Sequence, residues 1–294
     1  MPEFSSPMQV WPPLAEFGAR LTLKHSGISL FFYDSGPSSK PPLLLLHGLG
    51  DDADSWRHVF AALAEKYRVV AMDMPGFGRS DKPRRSYPME FLRDTVLELM
   101  DALSLGHVAL MGNSLGAMMA ESVAIKRPDQ VSCLYLLGGS LTTRVFSYHQ
   151  ALLLMALPFL GKRMYDGLRD DPKLALERQR LFFANMDTLP EADLQFLYQR
   201  VNERVWDDRQ RDAFLSVLHQ LVWRLPLRRS HYATCLAGLG IPTHAIWGDK
   251  DVINRLETAR ELVARQPNAR LTVLPEVGHL PQQEAPEALL RAVL

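Results

Sequence analysis

From Leu21 onward, short apolar runs alternate with stretches whose hydrophobic residues recur every three or four positions. Residues 21–24 and 28–33 flank Ser26-Gly27 and predict an opening β-hairpin. Pro42–Leu46 and Arg68–Met72 are almost wholly apolar, the pattern of strands covered on both faces. Residues 55–66 between them have helical spacing, and the turn-rich Pro75-Gly76-Phe77-Gly78 follows the second run. The rhythm continues with a helix over residues 91–103 and a strand over 107–111. A helix over Leu115–Lys126 and a strand over Val131–Leu137 come next. Alternation of this kind calls for a mostly parallel sheet with helices on both faces.

The strands then stop. Residues 148–157, 173–186, 191–202 and 207–223 show helical patterns only, with Asp171-Pro172 and Pro190-Glu191 as helix-start signals. Strand patterns return at 243–247 and 270–274, separated by a helix over 255–265, and a helix over 284–294 ends the chain. The simplest organisation is an α/β core of eight strands built from residues 1–139 and 239–294, interrupted by a helical insert over 140–238.

Composition leaves this picture intact and removes several functions. The chain has 294 residues, enough to bury a core without crosslinks. Lys and Arg balance Asp and Glu at 33 each, so no global field draws nucleic acid or an anionic membrane. Arginines between Arg200 and Arg229 interleave with Asp207, Asp208 and Asp212, which reads as a solvated helical surface. Cys133 sits in the apolar run Val131–Leu137 as a buried thiol would, and with only Cys235 besides it there is no disulfide scaffold. The first twenty residues do not look like a signal peptide. The longest apolar stretch, residues 151–160, is too short to cross a bilayer and contains Pro158. A cytoplasmic protein without stable membrane insertion, monomeric or homodimeric, is expected.

Gly112-Asn113-Ser114-Leu115-Gly116 fits G-x-S-x-G, and it lies between a predicted strand and a predicted helix. That context makes Ser114 the candidate nucleophile, because a strained strand-to-helix turn pushes the hydroxyl clear of the sheet. A serine hydroxyl needs a base to take its proton. His279, in a loop after the last predicted strand, would face the same crevice at the sheet's carboxyl edge. An acid must hold that imidazole in one tautomer, and both Asp249 and Asp251 follow the strand over 243–247. Two backbone donors are needed for the oxyanion. The N–H of Leu115 is one, and the N–H of Leu49 in His47-Gly48-Leu49-Gly50 is the candidate for the other. His47 reads as a brace for that loop, with a second base as the alternative.

Together these residues resemble the α/β-hydrolase superfamily, in particular its capped branch with a serine nucleophile. The order Ser114, Asp251, His279 is similar to that family's order. So are the His47-Gly48 loop, Asp73-Met74-Pro75-Gly76-Phe77-Gly78-Arg79-Ser80 and Gly248-Asp249-Lys250-Asp251. The resemblance favours Asp251 over Asp249, places the family's helical cap at the insert, and implies no cofactor. Ser114 speaks against the branches that use an aspartate at this turn. The loop after Gly48 lacks the proline-glycine continuation of many hydrolases of meta-cleavage products. The resemblance therefore implies cleavage of a carboxylic ester of a small to medium hydrophobic substrate through an acyl-enzyme. Its alternatives are C–C hydrolysis of diketone-type substrates, acyl transfer or perhydrolysis, and a ligand-binding receptor on a hydrolase scaffold. The insert is rich in large apolar residues, among them Phe146, Met155, Phe159, Met164, Phe182, Phe183, Trp206, Phe214 and Trp223, which are core residues or pocket lining. Gly48-Leu49-Gly50-Asp51-Asp52-Ala53 superficially matches a dinucleotide fingerprint, but it follows the third strand and lacks the acid after the next. No Walker loop, paired-cysteine zinc site or H-E-x-x-H occurs.

Overall fold

A computed structural model describes Phe4 and residues 8–142 and 150–294. Phe146 and the start of the helix expected over 148–157 lie outside the described residues. Eight strands form one sheet: β1 Gly18–Thr22, β2 Ser29–Asp34, β3 Pro42–Leu46, β4 Arg68–Met72, β5 Val108–Asn113, β6 Val131–Leu137, β7 Thr243–Gly248 and β8 Ala269–Leu274. Their order is β1-β2-β4-β3-β5-β6-β7-β8. The β1–β2 and β2–β4 pairings are antiparallel and all others parallel. The expected α/β class and mostly parallel eight-stranded sheet are therefore found.

The apolar runs become buried strands because both sheet faces are covered. Leu44 and Leu46 of β3 pack into one core, while Leu43 and Leu45 point into the other. On the core side lie the helices α1 Phe60–Ala64, α2 Met89–Ala102, α3 Leu115–Lys126, and, near the carboxyl terminus, α10 Leu256–Arg265, α11 Pro281–Glu284 and α12 Pro286–Val293. Between β6 and β7 the described elements are all helical. They are α4 Gln150–Met155, α5 Leu160–Asp166, α6 Pro172–Glu177, α7 Glu191–Trp206, α8 Asp208–His219 and α9 Leu225–Ala237, with short 3₁₀ and π turns. Ala213, Val217 and Leu218 of α8 join the same hydrophobic core as Leu44 and Leu46, so this segment is packed onto the sheet domain.

Topology places the crevice. Chain leaving β3 runs to β4 on one side, and chain leaving β5 runs to β6 on the other, while β3 and β5 are neighbours. Such a switch point opens a cleft beyond the carboxyl ends of the two strands.

Several predicted elements differ from those observed, each for a local reason. The helix expected over 55–66 is a 3₁₀ turn, Ala53–Trp56, followed by the short α1, because Asp52 caps the turn through Asp54 N–H. The helix expected over 173–186 ends at Glu177 and passes through the 3₁₀ turn Arg178–Phe182 into extended backbone at Phe183. There, distant partners take the backbone groups: Phe182 O accepts from His279 N, and Ala184 N donates to Glu284 Oε1. The helix expected over 207–223 continues through the π turn Gln220–Arg224 into α9, whose first turn accommodates Pro226, which has no N–H to lose. The terminal helix is split at Ala285, which at φ −140° and ψ 57° lies outside the helical region that a following proline disfavours. Cys133 is only partly buried.

Candidate active site

β5 ends at Asn113, and Ser114 occupies the turn into α3 at φ 53° and ψ −111°. A left-handed φ at a non-glycine residue costs about 1–3 kcal/mol, which the surrounding packing must offset. Part of that packing is Gly116, where a Cβ would stand 2.0 Å from Leu46 O. Only a residue without a side chain lets α3 approach β3 so closely. Ser114 N donates to Leu137 O at 2.7 Å, tying the turn to the end of β6.

His279 and Asp251 arrive from later strand ends and meet. His279 Nδ1 lies 2.8 Å from Asp251 Oδ2, with Asp251 4% and His279 3% exposed. The other carboxylate oxygen, Asp251 Oδ1, accepts from Ile253 N and Asn254 N, both at 2.9 Å. The acid is therefore held at both oxygens, which fixes the imidazole's orientation. Asp249 does not share this position: it is exposed, and its carboxylate lies 3.8 Å from Lys250.

Asn113 is a contributor that the sequence did not reveal. Its Nδ2 donates to His279 O at 2.9 Å and to Leu137 O at 3.3 Å, bracing the histidine loop against the strand that carries Ser114. His279 N donates to Phe182 O at 2.8 Å, so the helical segment braces the loop from its other side. Both partners lie far from His279 in sequence, and no motif announces them.

Leu49 sits in a tight turn. Asp51 N donates to Gly48 O at 3.3 Å, and Gly50 takes φ 77°, as the third position of a type II turn requires. Leu115 opens α3, where the backbone N–H has no intrahelical acceptor. His47 braces this loop from within. Met74 N donates to its Nε2 at 2.9 Å, so Nδ1 carries the proton and donates to Gly48 O at 2.8 Å.

Ser114, His279, Leu49 and Asn113 line one cavity of about 920 Å³. Its outer wall is largely apolar and comes from the helical segment, including Leu152, Met155, Phe182, Val201 and Phe214. Of the large apolar residues of that segment, Phe183 is buried, whereas Phe159 is 91% and Trp223 47% exposed. Ser114 Oγ and the imidazole make no hydrogen bond in this structure.

The Arg200–Arg229 stretch is only in part the solvated surface that its charge pattern suggests: Asp208, Arg209, Asp212, Arg224 and Arg228 are exposed, but other members are not. Arg200, Arg204 and Arg211 are buried or nearly so, and the first two reach the loop after β3. Arg204 Nη2 lies 2.7 Å from Asp52 Oδ2 and 2.5 Å from Asp51 Oδ1, and Arg200 Nη2 lies 2.5 Å from Asp54 Oδ2. Burial would raise the Asp52 carboxyl, but Arg204, Arg200 and Arg79 outweigh it and hold the group far below the usual carboxylate range. Burial and the Asp52 charge push Asp54 upward. Partners some 150 residues away make these contacts illegible in local charge patterning. Glu121, in α3 behind Ser114, is fully buried, and burial pushes its carboxyl up to about 7.

Among the described residues no group of His, Cys, Asp or Glu is placed to hold a metal ion, and no helix is long and apolar enough to cross a membrane.

Comparison with known proteins places the chain. The family model of the alpha/beta hydrolase fold matches residues 41–286. A dihydrolipoyllysine-residue acetyltransferase component of an acetoin cleaving system from Pseudomonas putida is 31% identical over 288 residues, covering 96% of this chain and 68% of that protein. A 2-hydroxy-6-oxononadienedioate/2-hydroxy-6-oxononatrienedioate hydrolase, also from Pseudomonas putida, is 29% identical, with 94% of each chain covered. A thermophilic esterase from Thermogutta terrifontis superposes with a TM-score of 0.75 at 24% identity, covering 94% of this chain and 96% of that one.

Proposed function

This chain belongs to the alpha/beta hydrolase fold family, and from that premise we propose that it is a serine hydrolase cleaving carboxylic esters of hydrophobic substrates. The observation that carries the reading is the His279–Asp251 pair, 2.8 Å apart, sharing one largely apolar cavity with a serine held at φ 53°. A satisfied structural histidine would not need an acid anchored at both oxygens beside a strained serine. In this reading residues 1–139 and 239–294 form the catalytic core, and 140–238 form a cap over it.

Ser114 Oγ attacks the ester carbonyl carbon while His279 Nε2 takes the hydroxyl proton. Asp251 stabilises the resulting imidazolium, and the N–H groups of Leu49 and Leu115 donate to the oxyanion. The tetrahedral intermediate collapses, His279 gives its proton to the departing alcohol, and Ser114 is left acylated. Water then attacks the acyl-enzyme with His279 again as base, releasing the acid and restoring the serine. Cap residues such as Phe182 and Phe214 exclude water from an apolar acyl or alcohol group. The substrate is a small molecule. Neither nucleic acid nor a cofactor enters the chemistry, and the protein works in the cytoplasm without membrane insertion.

The test is a panel of p-nitrophenyl esters, lactones, thioesters and vinylogous diketones assayed side by side with the wild type and Ser114→Ala. Steady turnover of esters, reduced by about 10⁶-fold in Ser114→Ala, supports the reading. Turnover restricted to diketones would assign C–C hydrolysis instead. A stoichiometric burst without turnover would assign a receptor.

A further inference from the structure

We propose that Arg204, supported by Arg200, is a positioning residue through which the cap holds the oxyanion loop in shape. The inference rests on the assignment of Leu49 N–H to the oxyanion hole. The loop from His47 to Asp54 carries Asp51, Asp52 and Asp54 within four consecutive positions. Three neighbouring carboxylates under one lid repel each other and lose hydration, so they stay there only if cations meet them. The core supplies one, Arg79, whose Nη1 lies 3.1 Å from Asp54 Oδ1 and whose Nε lies 2.8 Å from Asp73 Oδ2. The other two come from α7. Arg200 and Arg204 stand four residues apart, hence on one helix face, and both point at the loop.

Arg204 makes the contacts nearest the chemistry. Its Nε and Nη2 reach Asp52 Oδ2 at 3.1 and 2.7 Å, and Nη2 also reaches Asp51 Oδ1 at 2.5 Å. Asp51 N closes the turn on Gly48 O, and Leu49 is the first residue inside that turn. The guanidinium therefore grips the residue that sets the direction of the Leu49 amide. Phe214 of α8 presses on the same turn: a Cβ on Gly50 would stand 2.9 Å from its ring. Cap position and oxyanion geometry are one mechanical unit, so cap displacement disarms the amide even when Ser114, His279 and Asp251 are untouched.

Arg204→Gln, Arg204→Lys and Arg211→Gln are compared with the wild type on a short p-nitrophenyl ester. In parallel, affinity is measured for an alkyl trifluoromethyl ketone, which adds to the serine and places an oxyanion in the hole. Arg211 is the control because its partners, Asp166, Asp208 and Asp212, all lie within the helical segment, away from the loop. Arg204→Gln should lower kcat on the order of 10²-fold with KM little changed, the scale of a small misplacement of a catalytic group. Ketone affinity should fall by a similar factor, Arg204→Lys should recover part of it, and Arg211→Gln should keep kcat near wild type whatever its melting temperature. Should Arg204→Gln not fold, Asp52→Asn/Arg204→Gln, which removes the guanidinium together with the fully buried carboxylate it meets, is read in its place with the same expectation. The proposal is overturned if kcat and ketone affinity in these variants match the wild type, or fall no further than in Arg211→Gln. Wild-type turnover that survives Ser114→Ala would overturn the hydrolase reading and this proposal together. Ser114-dependent turnover with Arg204→Gln unaffected overturns this proposal alone.

Discussion

Replacing Glu121 with glutamine should flatten the dependence of stability on pH between mildly acidic and slightly basic conditions. Glu121 is fully buried in α3, where its carboxyl accepts from Ser140 Oγ at 2.8 and 3.0 Å and from Leu141 N at 2.5 Å. Burial raises this carboxyl from 4.5 to about 7, because those bonds do not replace the hydration lost. In the unfolded chain the group titrates near its ordinary value. Between the two values the native state holds a proton that the unfolded chain has released. Stability contributed by this group is therefore fully present below the unfolded value and is lost as pH rises toward the folded one. The gap from 4.5 to about 7 corresponds to on the order of 3 kcal/mol. Glutamine keeps an acceptor for Ser140 and Leu141 and carries no charge at any pH. Urea unfolding of wild type and Glu121→Gln, followed by fluorescence at closely spaced pH values, isolates the group, since other titrations cancel in the difference. The variant should gain on the wild type by roughly 3 kcal/mol between acid and pH 8, most of it before neutrality. A difference independent of pH would refute the reasoning.

Three further outcomes follow from the geometry. Asp251→Asn should cost about 10³- to 10⁴-fold in kcat toward esters, since the imidazole loses its correct tautomer, whereas Asp249→Asn should stay within about twofold. The reverse ranking would move the acid. Gly116→Ala drives a Cβ to 2.0 Å from Leu46 O and should lower stability by about 3 kcal/mol or more in chemical denaturation, and a loss below about 1 kcal/mol would contradict that packing. Arg211→Gln should lower the melting temperature by no more than a few degrees, because Asp208 and Asp212 are largely exposed and Asp166 and Asp208 keep Lys162 and Arg169 as partners, and a drop of about ten degrees or more would contradict that.

What the sequence disclosed follows from how local its causes are. Pro42–Leu46, Arg68–Met72, Leu115–Lys126 and Val131–Leu137 were readable to their bounds because burial on both sides leaves a plain apolar signature. Ser114 was readable because the strand, the strained turn and the helix are contiguous. That His279 and Asp251 each follow a strand was readable too, although the choice of Asp251 over Asp249, which the hydrogen bond to His279 matches, required a resemblance. The unwinding after Glu177 was not readable, since it is decided by hydrogen bonds to His279 and Glu284, about 100 residues away. The same holds for Arg200 and Arg204: a helix rich in arginine and acid looks solvated until the loop carboxylates that it meets are known. Helix α9 escaped because the predicted helix stops at residue 223, where a π turn carries the chain through.

The central claim, that Ser114 is the nucleophile, is tested most directly by trapping it. An alkyl fluorophosphonate should form a bond from phosphorus to Ser114 Oγ with loss of fluoride, and peptide mass spectrometry should find one adduct per chain at that residue. Labelling and ester turnover should disappear together in Ser114→Ala. Full turnover in that variant, or an adduct on another residue that tracks the loss of activity, would contradict the account.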